Sequence, residues 1–449
     1  MAPSWLLRLG RLNLTNYYTF RDAPLAEISG SLGDLGTLLP LMIALARQDS
    51  IDLGSTLVFS GIFNILTGLI FGIPLPVQPM KALASAAISR PEDSSILVVT
   101  AAGQLVALAV LFLSITGLLR FAVTAVPVPV VKGIQLGAGL SLVIGAGTSL
   151  LQPLHWIHPV LDNRVWATVA FLALVGTQQM KRFPYALCFF VLAVAFAFVA
   201  VAKHGDALPG VHLWRPEFVI PSWFVKSPAV FMAIGQLPLT TLNSIIAVSA
   251  LANDLLPDLP TPSVTSMGLS VALMNLTGSW FGAMPVCHGA GGLAAQFRFG
   301  ARSGSSVIFL GIIKILLGLF FGKSLISLLA HYPNSILGIM VLAAGLELAK
   351  VGYSLNKGAP DLWETSVEQD NDGLEGWERR QRGLTDDERL ERWTVMLMTA
   401  GALLAFRNDA VGFAAGMLCH WSFALSDRFA KWRESRRSEF STERDPLLR

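Results

Sequence analysis

Apolar residues in this chain fall in long runs broken by short polar stretches, without the period-two alternation of half-buried strands. Runs of roughly 18 or more apolar residues are long enough to cross about 30 Å of hydrocarbon as helices. The pattern predicts fourteen apolar segments. Seven lie near 24–46, 53–73, 79–90, 95–119, 128–149, 164–180 and 184–202, and seven near 228–251, 263–283, 288–297, 304–330, 333–350, 392–406 and 409–427. Segments three and ten are too short to span. Each follows an extended stretch containing proline, Pro74-Leu75-Pro76-Val77 and Ala283-Met284-Pro285-Val286. Ahead of the first segment, Trp5, Leu6, Leu9 and Leu12 stand among Arg8 and Arg11. This predicts an amphipathic helix lying on the membrane over 1–23, with no cleavable signal peptide.

The segments organise the chain into a first set over 24–203, a connecting loop over 204–227, a second set over 228–428 and a tail over 429–449. Within the second set, 351–391 is polar and reads as a flexible loop. Two echoes relate the sets. Leu66-Thr67-Gly68-Leu69-Ile70-Phe71-Gly72 and Leu276-Thr277-Gly278-Ser279-Trp280-Phe281-Gly282 both read L-T-G-x-x-F-G, and both run through Pro-Val into a short segment. Gly133-Ile134 with Ala138-Gly139-Leu140 is echoed by Gly338-Ile339 with Ala344-Gly345-Leu346. A repeat of seven spans is odd-numbered, so its second copy enters from the opposite side. The expected fold is an all-α integral membrane protein of fourteen transmembrane segments, arranged as two inverted seven-segment repeats. Paired short segments in such halves point to a binding site, because half-helices starting at mid-bilayer aim unpaired amides at one spot. Two such ends form an anion trap.

Composition supports the membrane class: 14% of residues are charged and 53% apolar, too few charges to cover a water-facing surface. Most of the 33 Lys and Arg fall on the tails and even-numbered loops, which places both termini in the cytosol. The acidic stretch from Glu364 to Glu378 does not alter that, since acidic residues contribute little to orientation. Cys188, Cys287 and Cys419 give no disulfide framework and no metal-ligand spacing. No cofactor or metal is expected, and no catalytic constellation is visible, so the chain does not read as an enzyme.

Segment three opens Val77-Gln78-Pro79-Met80-Lys81-Ala82. Pro79 suits a first helical position. Lys81 falls in the first turn, where it opposes the helix dipole and where an unpaired charge at mid-membrane is costly. A bound anion resolves both penalties; an ion pair with Asp34, or a position close to the cytosolic face, are the alternatives. Segment ten opens Cys287-His288-Gly289-Ala290-Gly291-Gly292, whose small residues admit an oxyanion to the backbone or permit close helix packing. His288 is a hydrogen-bond donor, a proton sensor or a packing residue. Segments one and eight carry polar residues facing a cavity or another helix: Glu27, Asp34 and Thr37, and Gln236, Thr240, Thr241, Asn243 and Ser244. Asp34 is the first candidate for a proton- or cation-coupling carboxylate and Glu347 the second, with a helix-to-helix bond as the alternative for Asp34. Arg298 and Arg302 read as a cytosolic mouth or as ordinary positive-inside anchors.

The runs Val77-Gln78-Pro79-Met80-Lys81-Ala82 and Met284-Pro285-Val286-Cys287-His288-Gly289-Ala290-Gly291-Gly292-Leu293 resemble the two signatures of the molybdate transporter family, a branch of the sulfate permease superfamily. Gln296-Phe297-Arg298-Phe299-Gly300-Ala301-Arg302-Ser303-Gly304 extends the second signature, and the polar runs of segments one and eight also look like the family's. The resemblance covers about residues 24–350. It implies the fold of sulfate and uracil permeases, with segments one to four and eight to eleven as a core domain and the rest as a gate. It implies molybdate transport by alternating access, with the anion between segments three and ten. Lys81 then supplies charge, and Gln78, Pro79, Met80, Thr240, Asn243, Cys287, His288, Gly289, Ala290, Gly291 and Gly292 line the site. Sulfate permeases usually end in a soluble regulatory domain, which the roughly twenty residues after segment fourteen are too few to form. The open alternatives are another oxyanion such as sulfate, a nucleobase, or an anion channel. Partners are molybdate, a coupled proton and the lipid bilayer. Glu443 with Leu447 and Leu448 resembles an adaptor-read sorting signal, so the vacuolar and plasma membranes are both candidate locations.

Overall fold

The structure, a computed structural model, describes residues 4–177, 180, 183–222, 227–357, 359–369 and 375–444. Leu447 and Leu448 of the sorting-signal reading lie outside the described residues. The helices in the first part of the chain are α1 (Ser4–Asp22), α2 (Pro24–Ser31), α3 (Leu35–Arg47), α4 (Leu53–Phe71), α5 (Lys81–Ser89), α6 (Ile96–Ile115), α7 (Leu118–Ala125), α8 (Val128–Gly145), α9 (Arg164–Gly176) and α10 (Tyr185–His204). The second part forms α11 (Ser227–Pro238), α12 (Val248–Leu255), α13 (Val264–Gly278), α14 (Ala290–Arg298), α15 (Ser305–Phe320), α16 (Leu325–Ala330), α17 (Asn334–Ala349), α18 (Asp386–Phe406) and α19 (Asp409–Arg444). Two short strands, β1 (Val77–Pro79) and β2 (Val286–His288), pair antiparallel; a second pair, β3 (Trp363–Gln369) and β4 (Glu375–Gln381), forms within the stretch read as a flexible loop.

The expectation of fourteen spanning segments in two inverted sevens is overturned. Among the described residues, seven helices are long and apolar enough to cross a membrane: Pro24–Arg47, Leu53–Phe71, Ile96–Ile115, Val128–Leu151, Tyr185–His204, Pro228–Leu255 and Asn334–Leu355. An eighth is added if α15 and the stretch Gly322–Ala330, bent by 100°, count as one span. The shortfall has a physical cause. Nine residues of helix in α5 or α14 extend only about 13.5 Å, and α9 and α13 stop at 13 and 15 residues. Helix α18 begins with Asp386-Asp387-Glu388-Arg389, and α19 ends in charged residues.

The expected core and gate are corrected as well. Contacts divide the chain into one unit of Met1–Thr124 with Ala138–Val351, and another of Ala125–Gly137 with Gly352–Arg449. Segments six, seven and twelve therefore belong with segments one to four. In the smaller unit, Lys132 donates to Ser354 Oγ at 2.9 Å, and Arg392 holds Asp361 and the Leu355 carbonyl.

The larger unit contains both short helices. Its axis is a seam between α4 and α15. Gly54, Gly61 and Gly68 recur every seven residues on one helix, and Gly318, Gly311 and Gly304 face them in antiparallel order on the other. A Cβ at Gly61 would lie 2.6 Å from the Gly311 carbonyl oxygen, and one at Gly318 2.9 Å from that of Gly54. With no side chains between them the backbones meet directly, the packing typical of small residues in membranes. Asn16 of α1 closes one end of the seam: its Nδ2 donates to the Gly68 carbonyl at 3.0 Å, and its Oδ1 accepts the Gly304 amide at 2.9 Å. So α1 is fastened to the protein as well as being amphipathic.

Helix starts are set by side chains. Asp52 accepts the Ser55 amide at 2.7 Å to begin α4, and Ser263 accepts the Ser266 amide at 3.1 Å to begin α13. The Asp162 carboxylate takes the Asn334 and Ser335 amides of α17 at 3.0 and 2.8 Å. The two L-T-G-x-x-F-G stretches end alike, in left-handed glycines: Gly72 at φ 69° and Gly282 at φ 67°. Only glycine takes that conformation without strain, and it turns the chain into the strand pair.

Candidate anion-binding site

The site is built on β1 and β2. Val77 pairs with His288, Gln78 with Cys287 and Pro79 with Val286, and the Met80 amide donates to the Pro285 carbonyl at 2.9 Å. Each strand is pinned from the helix before it. Asn64 Oδ1 accepts the Val77 amide at 2.8 Å, and Asn275 Oδ1 accepts the Val286 amide at the same distance. Because the strands are antiparallel, α5 and α14 leave the pair in opposite directions, with their amino ends beside it.

The N-cap residues of α5 and α14, Met80 and Gly289, provide no capping side chain, in contrast to Asp52 of α4 and Ser263 of α13. Gln236 Oε1 accepts the Leu83 amide at 3.0 Å, and the Ala84 amide returns to the Met80 carbonyl at 2.8 Å. At α14 the Gly292 and Leu293 amides both return to the Gly289 carbonyl, at 3.0 and 3.1 Å. Among the described residues this leaves the amides of Lys81 and Ala82 at one end, and of Ala290 and Gly291 at the other, without a partner. Lys81 joins the two ends: its Nζ is 4.0 Å from where a Gly291 side chain would begin. Each helix end carries about half a positive charge, so the ammonium adds to a field that is already positive.

Gln78 and Asp34 form the wall beside them. Asp34 occupies the break between α2 and α3, and Gly33 lets that break press on α14, 2.7 Å separating its missing Cβ from the Ala295 carbonyl oxygen. Asp34 Oδ1 accepts from Gln78 Nε2 and from Thr37 Oγ1, the latter at 2.6 Å. Gln78 Nε2 also donates to Thr37 Oγ1 at 2.9 Å. Among the described residues, Asp34 Oδ2 and Gln78 Oε1 are buried without partners. The glycines of segment ten are required here: a Cβ at Gly289 would collide with Gln78 Oε1, and one at Gly292 would stand 2.6 Å from Gln78 Nε2.

Segment eight supplies the far wall. After Pro238 it continues as a π-helix over Leu239–Ala247, a widened turn of the kind found at functional sites. Gln236 Nε2 donates to Thr240 Oγ1 at 2.9 Å, and Ser244 Oγ to Cys287 Sγ at 3.3 Å. Asn243 Oδ1 is buried with no partner among the described residues. Strand alternation sends His288 to the face opposite Cys287, where its Nε2 meets Ser270 Oγ at 3.0 Å and its ring meets Phe71 edge-on. A cavity of about 430 Å³ follows the small-residue face of α5 from Ala82 through Ala86 to Arg90, walled by Phe231 and Gly235.

The remaining sequence candidates lie at the other end of α14. Glu347 pairs with Lys350 at 2.9 Å and with Arg298 at 3.9 Å. Arg302 folds back to cap the Phe297 and Ala301 carbonyls at 2.6 and 2.7 Å, its guanidinium 3.8 Å from the Phe297 ring centre. Glu27 accepts the Arg302 amide at 2.9 Å. The structure thus gathers Gln78, Met80, Lys81, Thr240, Asn243, Cys287 and the Gly289–Gly292 backbone with Asp34, and leaves Glu347, Arg298 and Arg302 in their own cluster. Sequence reasoning missed Asn64, Asn275 and Lys314 as site residues, and saw Gln236 and Ser244 only as polar positions. An Asn two residues ahead of Leu-Thr-Gly in the first half and one ahead in the second was the available signal for the first two. Lys314, buried in α15, acts electrostatically on Asp34. Among the described residues, no group of three or more His, Cys, Asp or Glu is placed to hold a metal ion.

Known proteins resemble this chain in family and in fold. The chain matches the family described as "Molybdate transporter of MFS superfamily" over residues 26–142 and 228–348, and each block contains one of the short helices. It is 39% identical over 398 residues to molybdate transporter 2 of Arabidopsis thaliana, covering 78% of this chain and 82% of that one. Molybdate transporter 1 of the same plant is 37% identical over 375 residues, 74% of this chain and 80% of that one. Among solved structures, the chain resembles the murine Solute Carrier 26 family member A9 anion transporter in its inward-facing state. That match has a TM-score of 0.51 and 13% identity, over 91% of this chain and 69% of the other. At this identity the likeness is one of fold.

Proposed function

The chain belongs to the molybdate transporter family, and from that membership we propose that it carries molybdate across a membrane by alternating access, binding the anion between the amino ends of α5 and α14. The observation that supports this most directly is the set of four amides without partners, Lys81, Ala82, Ala290 and Gly291, with the Lys81 ammonium between the two ends. Backbone donors at helix starts suit an oxyanion. Elsewhere the protein answers such amides with its own carboxylate, as Asp162 does for α17; here the fold supplies none, and a tetrahedral dianion takes that place.

In this reading the anion enters along the α5 cavity past Arg90, and Gln78, Thr240 and Asn243 complete its hydrogen bonds. Binding and release need no covalent step. Coupling belongs to Asp34, whose Oδ2 is open, and not to Glu347, which is already paired twice.

Molybdate and sulfate are both tetrahedral dianions, and the same amides and ammonium suit either. The deciding experiment is molybdate uptake into proteoliposomes of the purified protein, with and without a hundredfold excess of sulfate. Saturable uptake that survives sulfate is expected. Uptake abolished by sulfate would make the protein a general oxyanion carrier, and absence of uptake under every imposed ion gradient would remove the substrate assignment.

A further inference from the structure

Lys314 is 4% exposed within α15, and its Nζ has no hydrogen-bond partner among the described residues. An ionisable side chain so placed in a membrane protein is costly and points to function. The glycine seam fixes its direction. Lys314 stands three residues after Gly311 and four before Gly318, on the helix face those glycines press against α4, so it points into the protein and away from lipid. Its charge is felt at Asp34, as is that of Lys81, with neither ammonium within ion-pair distance of the carboxylate. Asp34 gives one oxygen to Thr37 and Gln78 and keeps the other open. One buried carboxylate therefore lies in the field of two lysines from different helices, and only one of those lysines lies at the helix ends.

We propose that Lys314 is the second cation of the anion site, offsetting the charge that Asp34 would otherwise set against an incoming dianion. This inference rests on the transport reading above. With Asp34 ionised, Lys81, Lys314 and Asp34 carry one net positive charge; without Lys314 they would carry none, and the helix ends alone would hold the anion. A proton arriving at Asp34 raises the cluster to two positive charges, and a bound tetrahedral dianion then makes the loaded site neutral. One proton taken up at the carboxylate thus accompanies one dianion and leaves with it. The other groups facing Asp34 are the neutral Thr37 and Gln78 and the Cys287 thiol.

The test is a binding cycle on purified protein in nanodiscs, reading the Kd for molybdate in wild type, Lys314→Met, Asp34→Asn and the double variant. Removing one charge from a desolvated site should weaken binding by about tenfold or more, so Lys314→Met is expected to lose at least that. The double variant, with the wild-type net charge restored, is expected to recover most of it. Should Lys314→Met fail to fold, the comparison of Asp34→Asn with the double variant still isolates the lysine, and a loss of about tenfold is expected there too. An unchanged Kd on removing Lys314 in either background, with wild type binding normally, would overturn the role of Lys314 alone. A wild type that binds no oxyanion would remove the transport reading together with this one.

Discussion

Asn64 and Asn275 perform the same task on the two sides of one strand pair: each accepts, at 2.8 Å, the first amide of the strand leading to a short helix. Asn275 does more than its counterpart, since its Nδ2 also donates to the Val286 and Val271 carbonyls at 2.6 and 2.8 Å. Leaving a buried amide unpaired costs about 1–3 kcal/mol. Asn64→Ala and Asn275→Ala should each lower the melting temperature of the purified protein and weaken uptake, with Asn275→Ala the more severe. Equal or negligible shifts for both would mean that the strands hold themselves.

Lys81→Ala should abolish molybdate uptake while expression, membrane delivery and elution profile stay as in wild type. The Lys81 ammonium is the charged group that lies between the two helix ends. Uptake at the wild-type rate would remove it from the site.

Gly292→Ala places a methyl group 2.6 Å from both Gln78 Nε2 and Pro76 Cγ. Overpacking of this kind costs about 1–3 kcal/mol, and here it displaces the Gln78 amide from Asp34. Uptake should fall at least as far as in Gln78→Ala. A Gly292→Ala protein with normal uptake would show that the Gln78–Asp34 contact is dispensable.

Gly61→Leu should separate α4 from α15 and destabilise the protein by several kcal/mol, because the Gly311 carbonyl occupies the space. Gly176→Ala is the matched control: nothing lies within 4 Å of its missing side chain, and the change should be neutral or stabilising by under about 1 kcal/mol. Thermal unfolding of the two variants compares them directly.

The start of α18 gives a pH-dependent prediction outside the membrane. Thr385 and Glu388 form a reciprocal capping box, and the Thr385 amide beside its carboxylate holds Glu388 below its ordinary range. A depressed carboxylate contributes stability above its unfolded-state value and loses it as pH falls through the folded one. Amide exchange in the first turn of α18 should therefore be slow near neutrality and accelerate under acid. Thr385→Ala, which removes about 1 kcal/mol of capping, should erase the difference.

The positions of segments one, two, four, five, seven, eight and twelve were legible because each is one long apolar span, even where the α-helix is interrupted, as at Asp34 in segment one. The fourteen-segment count failed where apolar composition outran helical continuity. Segment nine reads through to 283, but the helix stops at Gly278, passes through a tight turn at Ser279–Phe281 and reverses at Gly282. Segment six loses its helix at Gly176, and the apolar parts of segments thirteen and fourteen share helices with charged residues. At the site, the helix-opening motifs were visible because proline, lysine and glycine have local reasons to stand where they do. Gln236 and Lys314 had none: Leu83, whose amide Gln236 accepts, and Asp34, in whose field Lys314 lies, are distant in sequence, and only the packing of α11 and α15 shows the connection. The two glycine heptads of α4 and α15 were present in the sequence all along, and their common spacing would have paired the helices.

The equal length of α5 and α14 has an electrical meaning. Each helix has nine residues, about 13.5 Å, roughly half of the 30 Å hydrocarbon layer. On the proposed transport reading, a dianion bound at their common origin would have crossed about half of the transmembrane voltage from whichever side it came. Accompanied by one proton at Asp34 it carries one net charge, for which that is about 1.2 kcal/mol per 100 mV. Entry from the positive side and entry from the negative side would then be tuned by voltage to the same degree and in opposite directions, so the resting potential of the host membrane biases which face of the carrier fills first.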